Sequence, residues 1–244
     1  RGNTADPKRR PVSTHVATAP NQVWMWDITY LYGPVKGIFF YLYMIIDLFS
    51  RDIVGWEVWD EESGEHAKEL IERTCLAQKV LSTQPLVLHS DNGSPMKAAT
   101  MLETLYKLGI TPSNSRPRVS NDNAYAESIF KTLKYRPNYQ PKGFLNITLA
   151  RLWVASFVNW YRNIHHHSGI KFLKTSDVHS GKYIEILAKR QRVYEAAKAA
   201  HPERWNGRAT RNWTPFTEVW LNPKQETEAT SLEVSPGIEI KTAS

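Results

Sequence analysis

The chain has 244 residues, 41% of them hydrophobic, which is enough for one large domain or for a core with appendages. Its 31 Lys and Arg against 24 Asp and Glu give a net charge of +7, a balance that favours polyanionic partners through phosphate neutralisation. The single Cys75 excludes an internal disulfide framework and a cysteine-based zinc site and suits a reduced intracellular setting, and no apolar stretch approaches the roughly 20 residues that span a bilayer.

Residues 1–20 open with "RGNTADPKRR", without Met or a signal pattern, and are polar, basic and Pro-containing. They read as a linker or extended arm. Order is predicted from "QVWMWDITYLY", where Val23, Met25, Asp27 and Thr29 alternate with Trp24, Trp26, Ile28 and Tyr30. Both sets include apolar groups, which predicts a strand covered on both faces. "GIFFYLYMIIDLFS" (37–50) and "RDIVGWEVW" (51–59) follow as strands, with joins short enough for antiparallel hairpins. A helix from about Ser63 places Ala67, Leu70, Ile71, Thr74 and Cys75 on one core-facing stripe, so Cys75 reads as core filler rather than nucleophile.

"PLVLHS" (85–90) is a short buried strand. A helix at 95–108 is expected to bury Ala98, Met101, Leu102, Leu105 and Leu108 and to end at Gly109 as a C-cap. "ITPSN" (110–114) is another short strand and "SRPRVSNDN" a polar loop, before a helix at about 123–135 that opens with Asn and Asp capping candidates. Three hairpin-connected strands followed by helix–strand–helix–strand–helix predict an α/β domain with a mixed sheet, completed by a helix at 147–162. A Lys-, Arg- and Ala-rich helix at 181–200, a Trp- and Pro-rich tail at 202–223 and a weakly patterned end complete the chain. The expected organisation is an arm (1–20), a core (21–165) and an extension (166–244).

Three acids stand out. Asp27 interrupts an apolar and aromatic strand, where an ionised carboxylate is costly unless paired or bound to a cation. Asp91 ends the fourth strand in "HSDNG", where Asn92-Gly93 also suits a turn. Glu127 lies beside the core stripe of its helix (Ala126, Ile129, Phe130, Leu133), with Lys131 and Lys134 one and two turns on. Taken singly, each has a structural explanation: a satisfied buried acid, a turn, a solvated helix position. Together, with no cysteine ligands, they suggest a hard cation such as Mg²⁺ or Mn²⁺, and two such ions would suit phosphoryl transfer.

The segments "WDITY", "YMIIDLFSRDIVGW", "HSDNGS" and "SNDNAYAESIFKTLK" resemble the integrase-type catalytic core of DDE transposases, especially insertion-sequence transposases related to retroviral integrases. Thirty-five residues separate Asp91 from Glu127, the family's characteristic spacing. The likeness spans roughly residues 20–223, since "FVNWYRNIHHHSGI" and "RNWTPFTEVWLNP" are similar to later family segments, although "FLKTSDVH" stands where a Thr-Pro or Ser-Pro is usual. The resemblance implies a ribonuclease H-like five-stranded mixed sheet flanked by helices, with Asp27, Asp91 and Glu127 as the metal-binding triad. It also implies DNA cleavage and strand transfer by a synaptic oligomer, at least a dimer on DNA, in a bacterial cytoplasm. The helix-turn-helix that such proteins use to recognise element ends is not in this sequence, so a separate or upstream polypeptide is the expected source.

Asp47 and Asp122 are assigned structural roles, the latter as a helix cap. His165, His166 and His167 are adjacent and point in different directions, which disfavours chelation of one ion. DNA contacts are expected from Lys131, Lys134, Arg116, Arg118, Asn123, His89, Arg162 and His167, with Asn121 in the same loop as a further candidate. "ERWNGRATRNW" interleaves Arg and Trp, as phosphate contact with base stacking requires, or as a packing strap would. The competing functions are a binding-only relative and a ribonuclease H-like nuclease that hydrolyses without joining.

Overall fold

The computed structural model describes residues 12–91, 93, 95, 98–116 and 120–223. Strand β1 (His15–Ala17) is followed by the three long strands β2 (Val23–Tyr32), β3 (Phe39–Asp47) and β4 (Ile53–Trp59). Helix α1 (Gly64–Gln78) then leads to β5 (Leu86–Ser90), α2 (Ala99–Lys107) and β6 (Ile110–Asn114). Helices α3 (Ala124–Lys134), α4 (Ile147–Asn163), α5 (Thr175–His179) and α6 (Tyr183–Ala200) and strand β7 (Val219–Leu221) complete the order.

Five strands form one sheet in the order β4-β3-β2-β5-β6. β2, β3 and β4 are antiparallel neighbours, whereas β5 and β6 run parallel to β2, so α1 and α2 serve as crossover connections. The alternation read in β2 is realised on both faces. Val23, Met25 and Leu31 enter a core shared with α3, α4 and the carboxyl-terminal segments, while Trp24 and Trp26 enter a second core under α1 and α2. The first of these cores also takes Ile170, Leu173, Val178, Leu187, Trp213 and Leu221, so the segments after residue 165 pack on the same sheet face as α4. β1 pairs with β7, joining the two ends of the described chain.

Local chemistry explains most boundaries. Ser63 caps α1 through its hydroxyl, which accepts from the Glu65 and His66 N–H groups, and Asn146 caps α4 by accepting from Leu149 N–H. Gly55 is required where β4 passes under α1, because a Cβ there would lie 2.1 Å from the Thr74 hydroxyl oxygen. Cys75 is buried as expected, and burial pushes its thiol up to about 11.

Three expectations are corrected. The second and third strands do not run through residues 48–52, because the Asp47 carboxylate accepts hydrogen bonds from Ser50 N–H and Oγ–H at 2.7 Å and closes a turn. Arg51 takes φ 62° inside that turn. The helix expected at 95–108 is not continuous: Pro95 is helical but Ala98 is extended, α2 runs Ala99–Lys107, and Leu102 is 44% exposed. Met101 and Leu105 fill the narrow stripe that faces α1 and the sheet, and Leu102, one residue round the helix, turns to solvent. Asp122 does not cap α3; its carboxylate is engaged by Arg116, and neither Asp122 nor Asn123 donates or accepts a side-chain capping bond.

Candidate active site

The parallel register between β2 and β5 pairs Met25 with His89 and Trp26 with Ser90. The next residues on the two strands are Asp27 and Asp91, so the ladder ends by setting two carboxylates side by side. Within the five-stranded sheet all strands except β3 point the same way, and their carboxyl ends make the edge where ligands bind in open α/β sheets. Asp91 lies just past the end of its strand and is exposed; its Oδ1 accepts the Gly93 N–H at 2.9 Å, a turn that holds the carboxylate at the strand exit. Asn92, expected to share this turn, lies outside the described residues.

Helix α3 is anchored to the same place by Asn123, whose Nδ2 donates to the Trp26 carbonyl at 3.3 Å. The helix buries Ala126, Ile129, Phe130 and Leu133, as its periodicity requires, and leaves Glu127, Lys131 and Lys134 on the adjacent face. Asp27 feels this face. Burial is the main cause pushing its carboxyl up to about 7, and the Asp91 carboxylate adds to it. Glu127 adds a smaller push, while the Ile28 N–H, bonded to Asp27 Oδ1 at 2.8 Å, and Lys134 oppose it. Among the described residues that N–H is Asp27's only hydrogen bond.

Asp27 and Asp91 line a cleft of about 350 Å³ together with Tyr30 and Glu62. Glu62 escaped the sequence reading. Its carboxyl is raised by burial and by Asp91, and the available signal was its position immediately after β4, at the same sheet edge as Asp91. Glu127 does not line this cleft, and among the described residues no three His, Cys, Asp or Glu side chains stand together as a ready metal cage. The Asp27–Asp91 pair nevertheless fits a divalent cation: two facing carboxylates, one held well above its usual range by burial and by the other, are oxygen ligands of the hard kind.

The expected DNA contacts separate into groups. Lys131 is exposed beside Glu127, and the Lys134 ammonium is lowered by burial and drawn back up by Asp27. Arg116 is not free for phosphate, since its N–H, Nε and Nη2 all bind the buried Asp122 carboxylate at 2.9–3.0 Å. Arg162 is likewise committed, in a fork with the fully buried Asp52 at 2.9–3.1 Å. His89 and Asn123 are buried, His89 against Ser113, Ser115 and the Asp122 carbonyl, and both position backbone rather than touch a ligand. His167 faces a separate cavity. Arg118 lies outside the described residues, as does the side chain of Asn121.

Asp47 has the structural role read for it: it is fully buried and accepts from Asn21 N–H and from Ser50. The rings of His165 and His167 are 5.5 Å apart at 72°, and His165 leans on Trp160 at 4.6 Å, an aromatic cluster rather than a chelate.

A five-stranded mixed sheet in the order β4-β3-β2-β5-β6, flanked by helices on both faces, is a ribonuclease H-like fold. The chain matches two family models, each described as "Integrase core domain", over residues 17–120 and 108–173. It is 34% identical over 165 residues to the transposase for insertion sequence element IS904 of Lactococcus lactis, covering 66% of this chain and 62% of that protein. It is 32% identical over 148 residues to the transposase for insertion sequence element IS629 of Shigella sonnei, covering 61% and 48%. Among solved structures it resembles a chain of the simian T-cell lymphotropic virus intasome in complex with PP2A regulatory subunit B56 gamma. That likeness has a TM-score of 0.54 at 17% identity, covers 71% of this chain and 60% of the other, and bears on fold alone. The chain belongs to the integrase core family. It spans about half to three fifths of the length of these transposases. No helix among the described residues is long and apolar enough to cross a membrane.

Proposed function

We propose that this chain is the catalytic core of a DNA transposase that cuts at the 3′ end of its element and joins the freed end to target DNA. The observation that carries the reading is the Asp27–Asp91 pair at the sheet's carboxyl edge, with Asp27 pushed up to about 7 and Glu127 close enough to contribute. The named relatives are insertion-sequence transposases, which supports DNA as substrate.

Asp27, Asp91 and Glu127 would hold Mg²⁺ or Mn²⁺, two ions per site, which when bound supply activation of a water or 3′-hydroxyl nucleophile and stabilise the leaving oxygen. The protein's own part is to fix the carboxylates: the Ile28 N–H orients Asp27, the Gly93 N–H orients Asp91, and Asn123 ties the Glu127 helix to β2. Lys131 and Lys134, beyond Glu127 on the same face, lie where a phosphate backbone approaching the carboxylates would pass. The first cut is hydrolysis of a phosphodiester that leaves a 3′-hydroxyl, and the second is attack of that hydroxyl on a target phosphodiester. No covalent protein–DNA bond is formed. Residues 21–165 are taken as the catalytic core and 166–244 as an extension, of which the described part, 166–223, packs on that core. The active form is taken as a homo-oligomer on DNA, in the bacterial cytoplasm at the nucleoid, with end recognition supplied by a helix-turn-helix outside this segment.

The test is incubation of the protein with labelled element-end DNA and Mg²⁺ or Mn²⁺. Nicked ends and joined products are expected, and both should vanish in Asp91→Asn. Full joining by Asp91→Asn would overturn the assignment. Cutting without joining would mark a nuclease, and binding alone a domesticated relative.

A further inference from the structure

On the side of α3 away from Glu127 lies a cavity of about 130 Å³ that the catalytic reading does not use. It is lined by Arg51, Tyr125, Ser128, Tyr161, His167 and Gly169, over an apolar floor. Three buried polar atoms of this lining lack a hydrogen-bond partner: Arg51 Nη1, Tyr161 Oη and His167 Nδ1. Tyr161 is only 1% exposed, so its hydroxyl has no access to bulk water. Leaving such atoms unpaired costs about 1–3 kcal/mol each, and more when the group is charged. Three at one cavity therefore indicate an occupant that satisfies them.

The chemistry of the lining restricts that occupant. The Arg51 guanidinium is stacked on the Tyr125 ring at 3.3 Å from its centroid and also bonds the Tyr125 side chain, which fixes its plane and leaves Nη1 unpaired. Its backbone is held at φ 62° by the Asp47 turn, with Arg51 N–H donating to the Asp47 carbonyl at 2.9 Å. A non-glycine residue kept in the left-handed region by surrounding structure is a device found at functional sites. Burial, with His165 and Arg51 contributing, lowers His167 to about 4, so its ring is neutral at neutral pH and offers one N–H. No carboxylate lines the cavity itself, although Asp47 acts on Arg51 and Asp52 on Tyr161 from behind the wall. One cation, two phenols, an imidazole and a serine hydroxyl around a space many times the ~15 Å³ that one water needs form a donor-rich cup whose only lining charge is positive.

We propose that this cavity is an oxyanion subsite that takes one phosphate group. Arg51 supplies the charge, Tyr161 and His167 donate from its walls, and Ser128 and Gly169, both exposed, form its mouth. Its use as a holdfast for DNA rests on the proposed function; the subsite itself does not.

The experiment is thermal unfolding of the metal-free, DNA-free protein in inorganic phosphate and in chloride at matched ionic strength. Phosphate is expected to raise Tm in a saturable way. Tyr161→Phe, which removes only the hydroxyl, is expected to weaken the apparent phosphate affinity about tenfold, as loss of a bond to a charged group does. Ser128→Ala at the exposed mouth leaves the core untouched and is expected to weaken it about threefold. Equal Tm in the two salts, or an unchanged phosphate effect in both variants, would overturn the proposal. A second arm asks whether inorganic phosphate displaces duplex DNA from wild type more than from Tyr161→Phe. Displacement identifies a DNA phosphate as the occupant, and a phosphate-dependent Tm without displacement identifies free phosphate. Failure of the first arm leaves the catalytic assignment standing, because neither metal nor DNA enters it.

Discussion

Two ends of one sheet treat their aspartates in opposite ways. At the end where β3 turns into β4, Asp47 and Asp52 are fully buried and saturated: Asp47 by Asn21, Ser50 N–H and Ser50 Oγ–H, Asp52 by the Arg162 fork and Thr175 Oγ–H. At the opposite end Asp27 has one backbone N–H among the described residues, and the charge that acts on it most strongly is another carboxylate. A buried acid surrounded by donors is part of the scaffold. Burial raises the carboxyls of both Asp47 and Asp27, but donors pull Asp47 back down whereas the Asp91 carboxylate pushes Asp27 further up, and that acid waits for positive charge. Asp27 is half-buried where Asp47 and Asp52 are fully buried, but it is the list of partners that sets the two ends apart.

The sharpest break between the ends is in activity. Asp91→Asn or Asp27→Asn is expected to lower strand transfer by a thousandfold or more, on the order of the several kcal/mol that a correctly held metal contributes, while Tm stays the same or rises as the repulsion is removed. Gel assays of joining beside melting curves would show it, and retained joining with lowered Tm would erase the distinction. Arg162→Met is the converse. It strands the buried Asp52 and is expected to cost about 3 kcal/mol of stability in denaturant titrations, while the activity of the protein that remains folded is kept.

The pH response gives a smaller separation. Asp27 titrates near 7 in the folded chain and near 3.9 when unfolded, so the folded state binds the extra proton between those values. Its contribution to stability is therefore fully present below about pH 4 and is lost as pH rises through about 7. In metal-free buffer Tm of the wild type is expected to fall from pH 5 to pH 8 relative to that of Asp27→Asn; parallel curves would show that Asp27 is not raised. Smallest of all, Lys131→Ala is expected to weaken DNA binding uniformly across sequences and to reduce the slope of log affinity against log salt by about 1, measured by fluorescence anisotropy.

Much of the scaffold could be read from the residues. The two-faced alternation of β2, the buried stripe of α1 and the Ala126–Leu133 stripe of α3 all fell where periodicity put them, because each depends on contacts one or two turns away along the chain. The failures came where a side chain chose a distant partner over a local one. Asp122 looked like a cap and instead clamps Arg116; Leu102 looked like core and has no neighbour to cover it. His89, Asn123 and Arg162 looked like DNA contacts by the company they keep in sequence, yet each spends its polar atoms inside the protein.

The sequence by itself determined the order of the five sheet strands and the helices between them, the three acids, their spacing and the likeness to integrase cores, since these are properties of local pattern and residue type. Only the tertiary structure decided which acids face each other. The parallel register of β2 with β5 sets Asp27 against Asp91, the end of β4 brings Glu62 to the same cleft, and the turn at Asp47 carries Arg51 to Tyr161 and His167, more than a hundred residues on. Strand register and the reach of a buried side chain depend on the whole packed sheet, and no window of sequence contains them.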